Sequence, residues 1–360
     1  MTLVNIGALL SVAGMKDAPK SVTIRWLARQ AGVSVATISR ALRHPDRVAP
    51  ATRERILKLV SRHQFVPDGR AATFSSRRTG VVGLVVPTIS NSIYAEFTEA
   101  IQSRLQAAGL SLLIANANYS AEIEDGIIRK LIESRVEGVI LTGYKRDAAL
   151  YKLLRHYRIP FVVTWSTSPE KSVPSISFDN YAAATEAVEM LIKLGHRRIG
   201  LICGVTSIND RAEQRLDAYC AALSRHKIRF EPELVSEQPF EIEVSAEAAT
   251  RLVTRQDPPT ALFCANDIQA LGALFACQRL NIRVPEDISI IGFDDLPITR
   301  VVNPPLSSVH VPATLMGHAA ADALIDAARN GIPVTGQTVG TELIMRGSTM
   351  PAASARTRIR

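Results

Sequence analysis

Residues 22–42 read VTIRWLARQAGVSVATISRAL, and two short helices joined by a tight turn account for the pattern. Thr23 is placed to cap a first helix on which Ile24, Leu27 and Ala28 recur at the i, i+3, i+4 spacing of one buried face. In Ala31-Gly32-Val33 the glycine supplies the positive φ that a β-carbon disfavours. Ser34 caps a second helix whose Ile38, Ala41 and Leu42 point inward, leaving Val35, Ala36, Ser39 and Arg40 facing out. A third helix is expected within residues 53–65, RERILKLVSRHQF, where Ile56, Leu57, Val60 and Phe65 close a miniature core. A helix-turn-helix of this layout presents the N-terminal residues of its second helix to base edges in a DNA major groove. Arg40 can bridge both acceptors of a guanine, and Val35 and Ala36 offer small apolar surface to a thymine methyl. Ser34, Thr37 and Arg53 suit phosphates, which position a protein without reading sequence. Ser39 joins them on the outward face.

The charge distribution agrees with that reading. The chain carries a formal net charge of +8, and it is concentrated: residues 16–78 hold 14 basic and 4 acidic residues, whereas residues 79–355 hold 25 basic and 30 acidic ones. A basic head on a mildly acidic body is the electrostatic footprint of a nucleic-acid partner. Hydrophobic content of 47% with 21% charged residues describes a globular chain long enough for a large α/β core plus a smaller domain.

After Arg78, short apolar runs alternate with amphipathic helices. Strands are expected at Val81–Val86, Leu110–Ala115, Gly138–Leu141, Pro160–Thr164, Ile199–Cys203, Thr260–Cys264 and Ile288–Phe293. Helices between them include Ala95–Ala107, Tyr181–Leu194 and Ile268–Leu280. This alternation implies parallel sheets covered on both faces, and the strands are too many for one sheet, so two doubly wound lobes of about 130 residues are expected. Ligands in such sheets bind beyond the carboxyl ends of the strands. That rule selects Ser90, Asn91, Tyr94, Asn116, Trp165, Asp179, Asn209, Arg211, Asn266, Asp267, Asp294 and Asp295.

The stretch at 22–42 closely resembles the lactose-repressor/galactose-repressor family of bacterial regulators, through the pattern TI-x-x-LA-x-x-AGVS-x-x-T-I-S-R-x-L. The likeness continues in RVAPATRERI, QFVP, TGVVGLVVP, NYAAA, LGHRRIGLICG, RLDAY, ANDIQALGA and VPEDISIIGFDD, from residue 22 to about 348. The resemblance implies a body like a periplasmic binding protein, a homodimer on a pseudopalindromic operator, and a small effector between the lobes. It assigns effector contacts to Arg215, Asn266 and Asp294, and places Tyr94 against the ligand. Asp179 falls near a lobe crossover. Residues 67–78 correspond to a hinge helix in which Arg70, Ala71 and Phe74 meet the minor groove. Phe74 stands where relatives usually wedge a leucine. Gly69 lowers helix propensity by about 1 kcal/mol, so the free hinge is expected to be disordered. Ala49 replaces a frequent serine cap, with Pro50 at the first helical position compensating in part.

The resulting domain expectation is α/β throughout the body. It comprises residues 1–20 as a disordered stretch or mis-assigned start (Met15 precedes a polar run), a head at 21–66, a hinge at 67–78, a body at 79–350 with crossovers near 195, 311 and 336, and a disordered tail at 351–360. The phrases LRHPDRVAP and CQRLNIRVPED resemble the gluconate-repressor branch, which implies a sugar acid, although that branch can lack an aspartate where this chain has Asp294. Asp294 and Arg215 together suit a sugar or polyol.

Other classes fit poorly. There is no GxGxxG after the first strand, no Walker loop and no GxSxG, so neither an enzyme nor a cofactor is expected. The seven histidines show no metal spacing, and the four scattered cysteines read as buried residues in a reducing cytoplasm. No apolar run approaches a bilayer span of ~18 residues, and Leu3–Gly14 lacks the basic flank and cleavage pattern of a signal peptide. A transport-type binding protein would require export and would not carry a basic head. A body that senses a protein partner, or no ligand, is the remaining alternative.

Overall fold

The computed structural model describes residues 22–43, 45–66 and 79–352. The chain divides into two compact units, Met1–Arg77 and Arg78–Arg360. The expectations for residues 1–20 and for the hinge, with Arg70, Ala71 and Phe74, lie outside the described residues.

The head consists of α1 (Ile24–Ala31), α2 (Val35–Arg43) and α3 (Pro50–Arg62). Thr23 caps α1 by accepting the Trp26 N–H at 3.2 Å, and Gly32 ends it at φ 60°, where a side chain would be strained. Its core is small: Leu27, Ala28, Ala31, Ile38, Ala41 and Ile56 are buried, with Val60 and Phe65 packed at the margin. Leu57 departs from the sequence expectation. It is 44% exposed, because α3 begins at Pro50 and turns Ile56 and Leu59 inward instead. Ala49 provides no side-chain cap, and Pro50 occupies the start of the helix.

Lobe 1 of the body contains β1 (Val81–Val86), α4 (Ser92–Ala107), β2 (Ser111–Asn116), α5 (Ala121–Glu133), β3 (Gly138–Thr142), α6 (Ala148–His156), β4 (Phe161–Thr164) and β5 (Ser175–Ser177). Lobe 2 contains α7 (Asn180–Lys193), β6 (Ile199–Cys203), α8 (Asp210–Arg225), β7 (Val235–Glu237), α9 (Ile242–Val253), β8 (Ala261–Cys264), α10 (Asp267–Arg279), β9 (Ser289–Asp294) and β10 (Ser307–His310). The chain then returns to lobe 1 with α11 (Ala313–Asn330) and β11 (Gln337–Thr338), and ends in lobe 2 with β12 (Glu342–Ile344). Each lobe is one six-stranded sheet, in the orders β11-β5-β4-β3-β1-β2 and β12-β10-β9-β8-β6-β7, with only the β10–β12 pair antiparallel. Runs such as VVGLVV in β1 are apolar throughout because helices cover both faces.

Three crossovers join the lobes. The first falls between β5 and α7, at 178–179, and not near 195: α7 packs on α8 and on strands of the second sheet. The second lies between His310 and Ala313. The third follows β11, a few residues after the expected 336. The tail begins later than 351, since Ala352 is buried and its N–H donates to the Leu194 carbonyl at 2.9 Å. Residues 353–360 are not among those described. No helix among the described residues is long and apolar enough to cross a membrane.

Candidate operator-reading helix and effector cleft

In the head, Ser34 begins α2 by accepting the Thr37 N–H at 3.1 Å, and the Ser34 and Thr37 hydroxyls share a hydrogen bond of 2.9 Å. That capping rotates Ile38 and Ala41 into the core, each 1% exposed, and leaves Val35, Ala36 and Arg40 exposed with Thr37 and Ser39 half-buried beside them. Arg53 is half-buried on α3. Arg25 and Arg29 of α1 line an open groove that ends at Ser34 and Val35, so cationic groups flank the N-terminus of α2, where a helix favours anions. Arg40→Ala is expected to weaken binding to a specific operator by about 1–3 kcal/mol and to relax selectivity at one base pair per half-site. Binding-site selection from a randomised DNA pool reads this directly, and an unchanged consensus would rule Arg40 out as a base reader.

In the body, the strand ends of both lobes converge on one cavity of about 20 Å³, so the lobes lie closed against each other. From lobe 1 its lining includes Asn91, Tyr94, Tyr119 and Trp165; from lobe 2 it includes Asn209, Arg211, Arg215, Phe240, Asn266 and Asp294. Of the residues expected at the effector, Tyr94, Trp165, Arg211, Arg215, Asn266 and Asp294 therefore meet there. Asp179 is the exception: its carboxylate accepts the Ala182 N–H at 2.9 Å, capping α7 outside the cavity. Asn91, Asn209 and Asn266 both cap and line. Each accepts a backbone N–H of its own helix, from Ile93, Arg211 and Ile268 respectively.

The chemistry centres on Arg215 and Asp294. Arg215 is 6% exposed. Its guanidinium donates to Asn180 Oδ1 through Nε at 3.0 Å and through Nη2 at 2.9 Å, donates to the Ala265 carbonyl, and lies 3.6 Å over the Phe293 ring. Burial draws its pKa down to about 10, with the Asp294 carboxylate opposing that loss. Asp294 accepts a hydrogen bond from Asn266 Nδ2. Burial pushes its carboxyl up to about 7, against the pull of Arg215, the Asn266 hydrogen bond and Arg211. Its φ of 114° and that of Trp165, 67°, put two lining residues in backbone conformations that β-carbons disfavour. Trp165 Nε1 is buried and has no hydrogen-bond partner, and the ring packs edge-on against Tyr94 and Phe97.

Three contributors were not singled out by the sequence reading. Asn180, fully buried at the start of α7 just past the first crossover, gives its amide N–H to the Trp165 carbonyl at 2.8 Å while its Oδ1 holds Arg215, tying the two walls together. Tyr119 and Phe240 meet across the cleft at 5.9 Å. Phe240 follows β7, a three-residue strand too short to be read from periodicity, whereas Asn180 adjoins Asp179, a residue the strand-end rule selects. Two other strand-end carboxylates do not line the cavity. Asp267 accepts from Ser308 Oγ and the Leu296 N–H, and Asp295 is held by Arg346, Arg300 and His310. No group of three or more His, Cys, Asp or Glu among the described residues could hold a metal ion.

Residues 23–68 match the family of bacterial regulatory proteins of the lacI type, and residues 188–349 match the periplasmic binding protein-like domain. The HTH-type transcriptional repressor CytR of Escherichia coli K12 is 32% identical over 343 residues, covering 93% of this chain and 98% of that protein. A solved complex of the transcriptional regulator CelR with cellobiose is 29% identical, covers 91% of this chain and 100% of its own, and superimposes with a TM-score of 0.67. The lac repressor dimer bound to operator and an anti-inducer, 24% identical, shares the fold at a TM-score of 0.80 over 92% of this chain and 100% of its own. These comparisons do not single out the gluconate-repressor branch. With a repressor matched over nearly its whole length and both domains recognised, the chain belongs to the lacI family of bacterial regulatory proteins: it is a DNA-binding transcriptional regulator with an effector domain, and not an enzyme.

Proposed function

We propose that this chain is a cytoplasmic, homodimeric repressor whose affinity for a pseudopalindromic operator is set by an uncharged, polyhydroxylated carbohydrate held between the lobes. The observation that carries the effector class is the pairing of charge in the cleft. Asp294 offers two acceptor oxygens for adjacent hydroxyls, and Arg215 offers donors. The remaining cations are already matched: Arg211 pairs with Asp210 at 2.7 Å, and Lys145 with Glu213 at 3.1 Å. A sugar acid would set its carboxylate beside ionised Asp294, which disfavours it against a neutral sugar once the pH exceeds about 7. Tyr94, Tyr119, Trp165 and Phe240 supply apolar faces of the kind that pack on the C–H face of a sugar ring. The cellobiose bound by CelR is a ligand of this class.

Dimer formation is supported by β2. It is an edge strand with no buried residue, and its Leu113 and Ile114 are 45% and 44% exposed, an apolar edge that a second copy would cover. Two heads are also what a two-fold operator requires.

A thermal-shift screen of the whole protein against neutral sugars, polyols and sugar acids tests the reading. A ligand at 100 times its Kd stabilises the fold by about 2.7 kcal/mol. Titration over pH separates the two ligand classes. A neutral sugar donates hydroxyls to ionised Asp294 and so lowers its pKa. Affinity should then rise by up to about tenfold per pH unit on approach to pH 7 and level off above it. An anionic ligand prefers protonated Asp294 and gives the opposite slope, which would overturn the assignment. No hit across the panel would overturn the carbohydrate assignment in favour of a body that senses a protein partner or no ligand.

A further inference from the structure

Lobe 1 grips lobe 2 at a buried carboxylate that does not line the cavity. Asp210 opens α8, and 2% of it is exposed. Its Oδ2 accepts the backbone N–H of Tyr144 at 2.5 Å and that of Lys145 at 3.2 Å, both from the loop that follows β3 in the other lobe. Its Oδ1 accepts from Arg211 Nη1 at 2.7 Å, and Arg211 does line the cavity. One carboxylate therefore fastens the lobes together and fixes the position of a cleft guanidinium. Two features show that the loop is shaped for this contact. Gly143 holds φ 75°, turning the next two N–H groups toward α8, and a β-carbon there would fall 2.2 Å from Arg211 Nη1 and 2.7 Å from Asp210 Oδ1. One turn further along α8, Glu213 meets Lys145 Nζ at 3.1 Å.

We propose that Asp210, docked on the Gly143–Lys145 loop, is the latch of the closed body and the positioning residue for Arg211, so that lobe closure and assembly of the effector site are one event. A carboxylate accepting two backbone N–H groups and a guanidinium is a strong, directional set of bonds. The loop can supply them only at closure. When the lobes part, Asp210 exchanges the two N–H groups for water, and Arg211 loses the wall against which it is held. Asp210 thus sets the ratio of closed to open body, and every ligand that selects the closed form inherits that ratio. This inference concerns the lobes themselves and holds whether the effector is a neutral sugar or not.

The test measures lobe separation in the full chain without effector. Spin labels on Ala121→Cys, at the start of α5, and Glu243→Cys, on α9, flank the Tyr119–Phe240 contact from opposite lobes; Cys220→Ser removes the one partly exposed native thiol. Double electron–electron resonance should give a short distance for the parent protein. Asp210→Ala is expected to shift the distribution to longer distances with helical circular dichroism unchanged. Gly143→Ala reaches the same contact from lobe 1, leaving α8 intact, and should shift it the same way. A parental distribution in either folded variant would overturn the latch. Asp210→Asn, which keeps one acceptor and loses the charge, should fall between.

Discussion

Arg215→Ala is expected to abolish the effector response while leaving effector-free operator affinity intact. The guanidinium is the cationic half of the Arg215–Asp294 pair, and hydrogen bonds to a charged group contribute about 1.5–3 kcal/mol each. Losing two of them weakens effector binding by about 10²–10⁴-fold. The substitution also reaches into the walls. Asn180 Oδ1 loses both of its guanidinium donors, the Ala265 carbonyl loses its own, and the Phe293 ring loses the cation stacked 3.6 Å away. Asp294 keeps its burial and loses the largest cationic influence on its carboxyl, which leaves the acid in its neutral form over a wider pH range. The body should therefore unfold at lower temperature and bind effector negligibly, with the head unaffected as a separate compact unit. Operator titrations with and without effector check the first claim and calorimetry the second. A variant that still responds normally would remove Arg215 from the site. Asn180→Ala, which frees the guanidinium without deleting it, should weaken the response by less.

The sequence was most informative where one residue type has one physical use. Gly32 at a positive φ, Thr23 and Ser34 as caps, and the continuous apolar strands could be read without coordinates, because local sterics and burial decide them. Strand-end polar residues were legible as a set, since a parallel sheet must deliver its carboxyl ends to one face. Their division was not. Asp179 and Asn266 stand in the same local context, strand end then helix start, and both cap; only the path of the chain decides which also faces the cleft. The first crossover shows why. It comes at 178–179, so α7 already belongs to lobe 2, and it is Asn180, one residue on, that joins Trp165 to Arg215. The short strands β5, β7, β11 and β12 carry too few residues for periodicity, and the loop after β7 delivers Phe240 unannounced. The Asp210 latch was hidden for a different reason: it depends on backbone N–H groups of the opposite lobe, which leave no trace in residue identity.

Leu27→Ala should eliminate operator binding altogether and leave the body untouched. Among the described residues of the head, three large aliphatic side chains are fully buried, Leu27, Ile38 and Ile56; the other buried members of the core are alanines. Truncating one such leucine costs about 2–5 kcal/mol, from lost transfer energy and the cavity left behind. A core this small rarely supplies more than about 3–5 kcal/mol in total, so the variant head is expected to be largely unfolded at ambient temperature. The recognition face then disappears as a whole: Arg40 stays in the chain, but α2 no longer presents it. This differs in kind from Arg40→Ala, which keeps the fold and loses one contact. Fluorescence anisotropy with an operator duplex should register no specific binding, while the thermal transition of the body and its effector-induced shift remain at parental values. Leu57→Ala is the matched control. Helical periodicity alone placed Leu57 in the core, whereas on α3 it is 44% exposed, so it should retain near-parental operator affinity. Equal losses at the two positions would mean that α3 packs in a different register from the one observed.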